Sequence, residues 1–488
     1  MQERQVEIAI IGAGSAGLGA WHAARQHTDK LVLIESGAYG TTCARVGCMP
    51  SKLLISAADV AQQARDSEGF GVKVSGVSVD GPAVMQRLQR ERDRFVGSVL
   101  SSMSRIEEDD RIVGAARFED ANTLVVGDHT RIKAKRIVIA TGSRPSWPDF
   151  LNAAGDRLII NDDLFEWDDL PESVVVFGPG VIGLELGQAL HHLGVRVRMF
   201  GVGGAIGPLG DPDLKALADK EFNTGFPLDP DATVKKVDRD GDQVVVTFHC
   251  RDSNTEKTER FDYLLAATGR RPNVDKLDLP KTGLELNDRG VPVFDRLTMQ
   301  CRFDDGSPAP IFIAGDANQD LPLLHEASDE GRIAGENAGR YPDIRAGRRR
   351  TPLAVVFTDP QMASAGVGYA ELKRRDEQLT NVAIGEVSFE DQGRSTVMRQ
   401  NRGMLRLYAE HGSGILLGAE MFGPRAEHLG HLLAWSIDQR LTVDRLLEMP
   451  FYHPVVEEGL RTALRDLNVH LRRGPAITER CLECGPGA

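Results

Sequence analysis

The feature that most restricts how this chain can fold is a glycine pattern that occurs twice, about 166 residues apart. In the first copy a β-rich run, Val6 to Ile11, leads into Gly12-Ala13-Gly14-Ser15-Ala16-Gly17. An alanine-rich helical stretch follows, then Leu31 to Ile34, ending at Glu35. In the second, Val174 to Phe177 leads into Gly178-Pro179-Gly180-Val181-Ile182-Gly183, a helical stretch through Leu193 and the run Val195 to Phe200. Each reads as a βαβ unit with a phosphate-binding turn. The glycines let the backbone approach a pyrophosphate, which sits at the positive end of the following helix. One such pattern is weak evidence, but two, each set between a strand and a helix, argue for two dinucleotide sites. The fold class they predict is α/β, with two Rossmann-like domains.

The two sites differ in one respect. Glu35 lies 18 residues after Gly17 and offers a carboxylate to a ribose hydroxyl. The same offset from Gly183 reaches Gly201, flanked by Phe200 and Val202, so that neither an acid nor a guanidinium marks NAD or NADP there. Further strand ends with the same flavour are Ala140-Thr141-Gly142, Ala267-Thr268-Gly269 and Gly315-Asp316. From Thr351 the texture changes to β-like runs and helices without another nucleotide turn, which predicts a separate C-terminal domain.

At 488 residues the chain has room for roughly three domains. Its 58 Lys and Arg against 71 Asp and Glu leave a net charge of −13, which disfavours nucleic acid and anionic lipid as partners. The run Arg348-Arg349-Arg350 reads as a solvated linker. No apolar run reaches the ~18–20 residues of a membrane span. The start, MQERQVEIAIIG, lacks the basic and apolar regions of a secretory signal, so a cytoplasmic location is expected.

Six cysteines are too few for a disulfide scaffold of this size, and four fall in two close pairs, Cys43/Cys48 and Cys481/Cys484. A disulfide needs Cα atoms within about 7 Å, whereas five extended residues span roughly 17 Å. The segment from Cys43 to Cys48 must therefore coil back, as at the first turn of a helix, with Gly47 easing the bend and Pro50 tolerated near the start. There the helix dipole favours a Cys48 thiolate, and Lys52, one turn on, adds positive charge. Following directly on the first nucleotide unit, the pair reads as redox-active beside a flavin. A thiol cycle also needs a base, which His453, with Glu458 five residues on, supplies. Two terminal cysteines cannot close a zinc site, and no metal is expected. Cys250 and Cys301 read as ordinary.

Taken in order, the first glycine turn with Glu35, the Cys43/Cys48 pair, the two Ala-Thr-Gly turns, Gly315-Asp316 and His453-Pro454 with Glu458 resemble the pyridine-nucleotide flavoprotein disulfide oxidoreductases, from about residue 5 to 470. The likeness is strongest to members that oxidise dihydrolipoyl groups. The resemblance implies FAD in the first site, with Gly12, Gly14, Gly17, Glu35, Thr141, Gly142 and Asp316 around it. It implies NAD, with NADP not excluded, at Gly178, Gly180, Gly183 and Gly269, and a Lys52–Glu185 ion pair near the flavin ring. Cys43 would exchange with substrate and Cys48 face the flavin. His453, held by Glu458, would act from the partner subunit of an obligate homodimer. The implied substrate is a lipoyl-bearing carrier protein or a small dithiol or disulfide.

The expected organisation is an FAD domain in two parts, 1–148 and 269–345, an NAD(P) domain, 149–268, a dimerisation domain, 346–470, and a mobile tail, 471–488. Thr41, Ala44-Arg45, Phe451-Tyr452 and Gly201 depart from the family pattern. The Cys481/Cys484 tail resembles that of large thioredoxin reductases and mercuric reductases. An alternative function is thus an NADPH-driven reductase of another disulfide, or of mercuric ion, relayed through that tail. A reading from a different class is a flavin-bound scaffold or redox sensor with little turnover.

Overall fold

The computed structural model describes residues 1–472, so the Cys481/Cys484 pair lies outside the described residues. The chain groups into two compact units. One comprises residues 1–178, 189–198 and 232–349, and the other, among the described residues, 179–188, 199–231 and 350–472.

The first unit is built on a mostly parallel sheet. Strand Gln2–Ile11 runs between Leu31–Glu35 and Thr130–Ile139, parallel to both, and Pro308–Ile313 lies parallel on the far side of Thr130–Ile139. A sheet with connections on both faces must be apolar on both, and the residues show it. Ile8 and Ile10 pack with Leu31, Leu33 and Phe312 on one face, while Ala9 and Ile11 pack with Val32, Ile34, Ile137 and Ile313 on the other. Each buried isoleucine or leucine contributes about 1.5–3 kcal/mol, so a continuous run such as Ile8–Ile11 holds the register strongly.

Helices Ser15–Ala24 and Leu324–Arg340 pack on one face with almost no side chain between them. A Cβ on Gly331 would lie 2.1 Å from the Ala16 carbonyl oxygen, and one on Gly335 2.3 Å from that of Ala20. In the same unit Tyr263–Ala266 runs parallel between Ser173–Phe177 and Leu158–Ile159. A three-stranded antiparallel sheet, Thr233–Asp240, Gln243–Cys250 and Thr255–Phe261, has no counterpart in the sequence expectations.

The second unit holds a five-stranded antiparallel sheet in the order Leu353–Val356, Gln361–Gly366, Leu416–Gly423, Met404–Glu410, Val382–Ser388. Its apolar face is covered by Ala426–Asp438 and Glu458–His470. Helix Pro212–Gly225 starts at Asp211, which is fully buried and accepts hydrogen bonds from Arg406 Nη1 at 3.0 Å and from Tyr408 Oη at 3.1 Å. Glu420, 1 % exposed, accepts from the backbone N–H groups of Gly210, Asp211 and Tyr369 at 2.7–2.9 Å.

One expectation is overturned. Arg349 is no part of a solvated linker: its side chain is 15 % exposed and pairs with Glu326 and Glu330 at 2.9 Å. Its neighbours Arg348 and Arg350 are exposed, as expected. Among the described residues no helix is long and apolar enough to cross a membrane.

Candidate active site

Strand Gln2–Ile11 ends at Gly12, where φ is +107° and a Cβ would meet the Ala140 carbonyl oxygen at 2.2 Å. A Cβ on Gly17 would lie 1.8 Å from the Gly12 oxygen, whereas around Gly14 there is nothing within 4 Å. Two glycines thus close the turn against the sheet and the third leaves its outer side open, the cradle a pyrophosphate needs. Glu35 is held at this turn, Oε2 accepting from Ala13 N–H and Oε1 from Gly37 N–H, both at 2.8 Å. Ser143 Oγ donates to Asp316 Oδ2 at 2.6 Å, and Gly142 adopts φ +67°. Thr141 Oγ1 and Tyr39 Oη are buried with no protein partner. A buried hydroxyl left unpaired is costly, so this rim is chemically incomplete without a polar ligand.

The second turn repeats the first. Gly178 has φ +106°, and a Cβ there would stand 2.3 Å from the Ala267 oxygen, while Gly180 faces open space. Gly269, φ +141°, is likewise open, and Gly183 lies in helix Val181–His192. Gly201 leaves room for the turn, because a Cβ would be 2.6 Å from Pro179 Cγ. Glu185 is buried and accepts from Phe357 N–H at 3.0 Å.

The cysteine segment coils as its spacing requires. A short helix, Thr42–Val46, breaks at Gly47, and a second, Cys48–Asp66, starts on Cys48 itself. Cys48 therefore has the helix N-terminus beneath it, with Lys52 one turn along and its Nζ 3.4 Å from Ser51 Oγ. Cys43 is half-buried, and its hydrogen bond with Cys48, reinforced by burial, pushes its thiol up against the opposing pull of Lys52. One sulfur of the pair is thus held as a thiol while the other has the helix end to favour a thiolate.

Thr41, a departure from the family pattern, adopts φ +62°, a region that favours glycine. In exchange its Oγ1 caps the short helix at Ala44 N–H, 3.3 Å away. Asn161, which sequence reasoning missed, is 6 % exposed and donates from Nδ2 to the Val46 carbonyl at 2.6 Å, fixing the loop between the cysteines. Nothing local marks it, since the contact crosses 115 residues. Cys301 is fully buried, and burial pushes its thiol up; hydrogen bonds from Ser253 bring Cys250 down to about 7.

In the second unit His453 Nδ1 lies 3.1 Å from both carboxylate oxygens of Glu458. Burial would raise the Glu458 carboxyl, but the hydrogen bonds from His453 and Val455 N–H and the charge of Arg461 hold it below the usual range. Glu458 therefore stays ionised, orients the imidazole and leaves Nε2 for proton transfer. The His453 side chain is 82 % exposed on its own protomer, and the neighbouring Tyr452 is 80 % exposed. Phe451 stacks under Arg461, 5.7 Å from ring centre to guanidinium.

The family model described as pyridine nucleotide-disulphide oxidoreductase matches residues 6–331, and that of its dimerisation domain residues 353–464. The chain belongs to this family. Dihydrolipoyl dehydrogenase of Geobacillus stearothermophilus is 32 % identical over 461 residues, covering 93 % of this chain and 94 % of that protein. Mercuric reductase of Lysinibacillus sphaericus is 28 % identical over 470 residues, covering 95 % and 83 %.

Two solved structures share the fold. LpdA from Mycobacterium tuberculosis has a TM-score of 0.78 at 24 % identity, over 96 % of this chain and 100 % of that one. The HOCl-induced flavoprotein disulfide reductase RclA from Escherichia coli has a TM-score of 0.77 at 22 % identity, over 94 % and 99 %. As a pyridine nucleotide-disulphide oxidoreductase the chain is an FAD- and NAD(P)-dependent enzyme, and its dimerisation domain supports a homodimer. The open turn at Gly14 and the unpaired Thr141 hydroxyl fit that demand for FAD.

Proposed function

We propose that this family member oxidises the dihydrolipoyl group of a carrier protein and reduces NAD, as a dihydrolipoyl dehydrogenase. The observation that carries the reading is the 32 % identity, over 93 % of the chain, to an enzyme of that name. In the division of labour we assign, residues 1–148 and 269–345 bind FAD, 149–268 bind the nicotinamide and 346–470 dimerise. FAD, when bound, supplies a two-electron path between the cysteine pair and the nicotinamide.

The protein's own residues do the thiol chemistry. His453 of the partner subunit takes a proton from the substrate dithiol. The resulting thiolate attacks Cys43 in the oxidised pair, and the S–S bond breaks to leave a Cys48 thiolate, which the helix end and Lys52 favour. The second substrate sulfur then displaces Cys43 and closes the lipoyl disulfide. Two electrons and one proton of the dithiol stay with the cysteine pair, and the other proton stays on His453.

For the nicotinamide, the loop 201–204 carries no cation, and the carboxylate it touches is Asp231, whose Oδ1 accepts Gly203 N–H at 2.7 Å. A carboxylate there suits the free ribose of NAD and repels a 2′-phosphate. The location we assign is the cytoplasm, since six cysteines in 488 residues are too few for a disulfide scaffold.

The test is anaerobic reduction of NAD by dihydrolipoamide. A specificity constant above about 10⁴ M⁻¹s⁻¹ is expected. A negligible rate, in protein whose flavin NADPH still bleaches, defeats the reading. The mercuric reductase relative and the Cys481/Cys484 pair favour a second reading, an NADPH-driven reductase that relays electrons through the tail. A chain cut before Cys481 would keep lipoamide turnover and lose the relayed activity.

A further inference from the structure

Arg349 lies far in sequence from every residue assigned to the flavin, yet it is tied to the flavin turn through one buried carboxylate. Glu330, fully buried, accepts at Oε2 from Gly315 N–H at 2.8 Å and from Asn318 Nδ2 at 2.7 Å. Its other oxygen faces Arg349 Nη1 at 2.9 Å, while Arg349 Nη2 reaches Glu326 Oε2 at 2.9 Å and Asp320 Oδ2 at 3.4 Å. Glu326 is 2 % exposed, so two buried carboxylates share one guanidinium. The turn they hold, Gly315–Asn318, carries Asp316, which also accepts from Ser143; Ser143 in turn accepts from Arg270 Nε at 2.8 Å.

We propose that Arg349 is a positioning residue for the flavin: its planar fork holds the Glu330 carboxylate against the turn Gly315–Asn318 and so sets the place of Asp316. Burial alone pushes the Glu330 carboxyl up, and the Gly315 N–H, Arg349 and Asn318 oppose that push. Without the guanidinium one of the two buried carboxyls takes a proton, since a buried, unpaired charge is too costly to keep. Protonated Glu330 is a weaker acceptor for Gly315 and Asn318, and the turn loosens. Arg349 touches neither substrate nor flavin in this scheme and acts only through Glu330.

The inference rests on the reading that the flavin lies on the Asp316 turn, and the experiment separates the two. FAD dissociation is followed by recovery of flavin fluorescence on diluting holoenzyme, together with the visible circular dichroism of the bound flavin. Arg349→Gln is expected to weaken FAD about tenfold, since what it removes is the cation of a buried ion pair, and to alter the dichroism. Arg349→Lys should restore most of both, and Arg345→Gln, a surface control, should change neither. FAD affinity lost in Asp316→Ala but kept in Arg349→Gln overturns the positioning role alone. Affinity kept in both overturns the flavin placement and the proposal with it. Should Arg349→Gln fail to fold, Asn318→Ala replaces it, and undiminished FAD affinity in that variant overturns the proposal.

Discussion

Replacing Cys48 with serine is expected to cut NAD reduction by dihydrolipoamide to below about a thousandth of the native rate, with FAD binding unchanged. The size of the effect follows from position. Cys48 opens helix Cys48–Asp66, and serine keeps the size and the local hydrogen bonding there but cannot form a disulfide. Cys43→Ser should lose dithiol turnover to the same extent, yet NADH should still bleach the flavin, because electron entry from the nicotinamide side does not need the sulfur that meets substrate. Stopped-flow absorbance of the flavin, with each reductant in turn, measures both halves. A Cys48→Ser enzyme that keeps a tenth of native turnover would rule out a Cys43/Cys48 cycle.

The second large effect concerns stability. Asp211 is fully buried and paired with Arg406, whose side chain is 14 % exposed and also reaches Glu386 at 2.8 Å. Arg406→Met leaves the buried Asp211 carboxylate without its cation, although Tyr408 Oη still donates to it, and breaking a buried pair from one side costs about 3–5 kcal/mol. Asp211→Asn in the same chain removes the stranded charge and should recover most of the loss. Urea unfolding of the single and double variants checks this. A loss under about 1 kcal/mol for Arg406→Met, the level of a surface pair, would show that water reaches Asp211.

The contrast between these two predictions also marks what the amino-acid sequence makes legible. The glycine turns and the cysteine segment are local devices: their residues are neighbours in the chain, and steric rules read off the spacing say what backbone they need. The strand over Val6–Ile11, the bend at Gly47 and the helix start near Cys48 could all be anticipated for that reason, whereas the strand's extension back to Gln2 could not. Asn161 under Val46, Arg349 on Glu330 and Arg406 on Asp211 are long-range pairings between residues of common type. An arginine in a run of three looks like a solvated linker until the fold brings three carboxylates to it. The family resemblance supplied the long-range relation of His453 to a partner's cysteines, which no spacing rule contains.

The seam between helices Ser15–Ala24 and Leu324–Arg340 has a consequence for how such a chain can drift. Every single-base change that alters a glycine codon to another amino acid adds at least a Cβ. At Gly331 and Gly335 that atom would lie within 2.1–2.3 Å of a carbonyl oxygen of the facing helix. Any amino-acid change at these two positions therefore forces the facing helices apart, whereas a third-base change in either codon leaves the protein untouched.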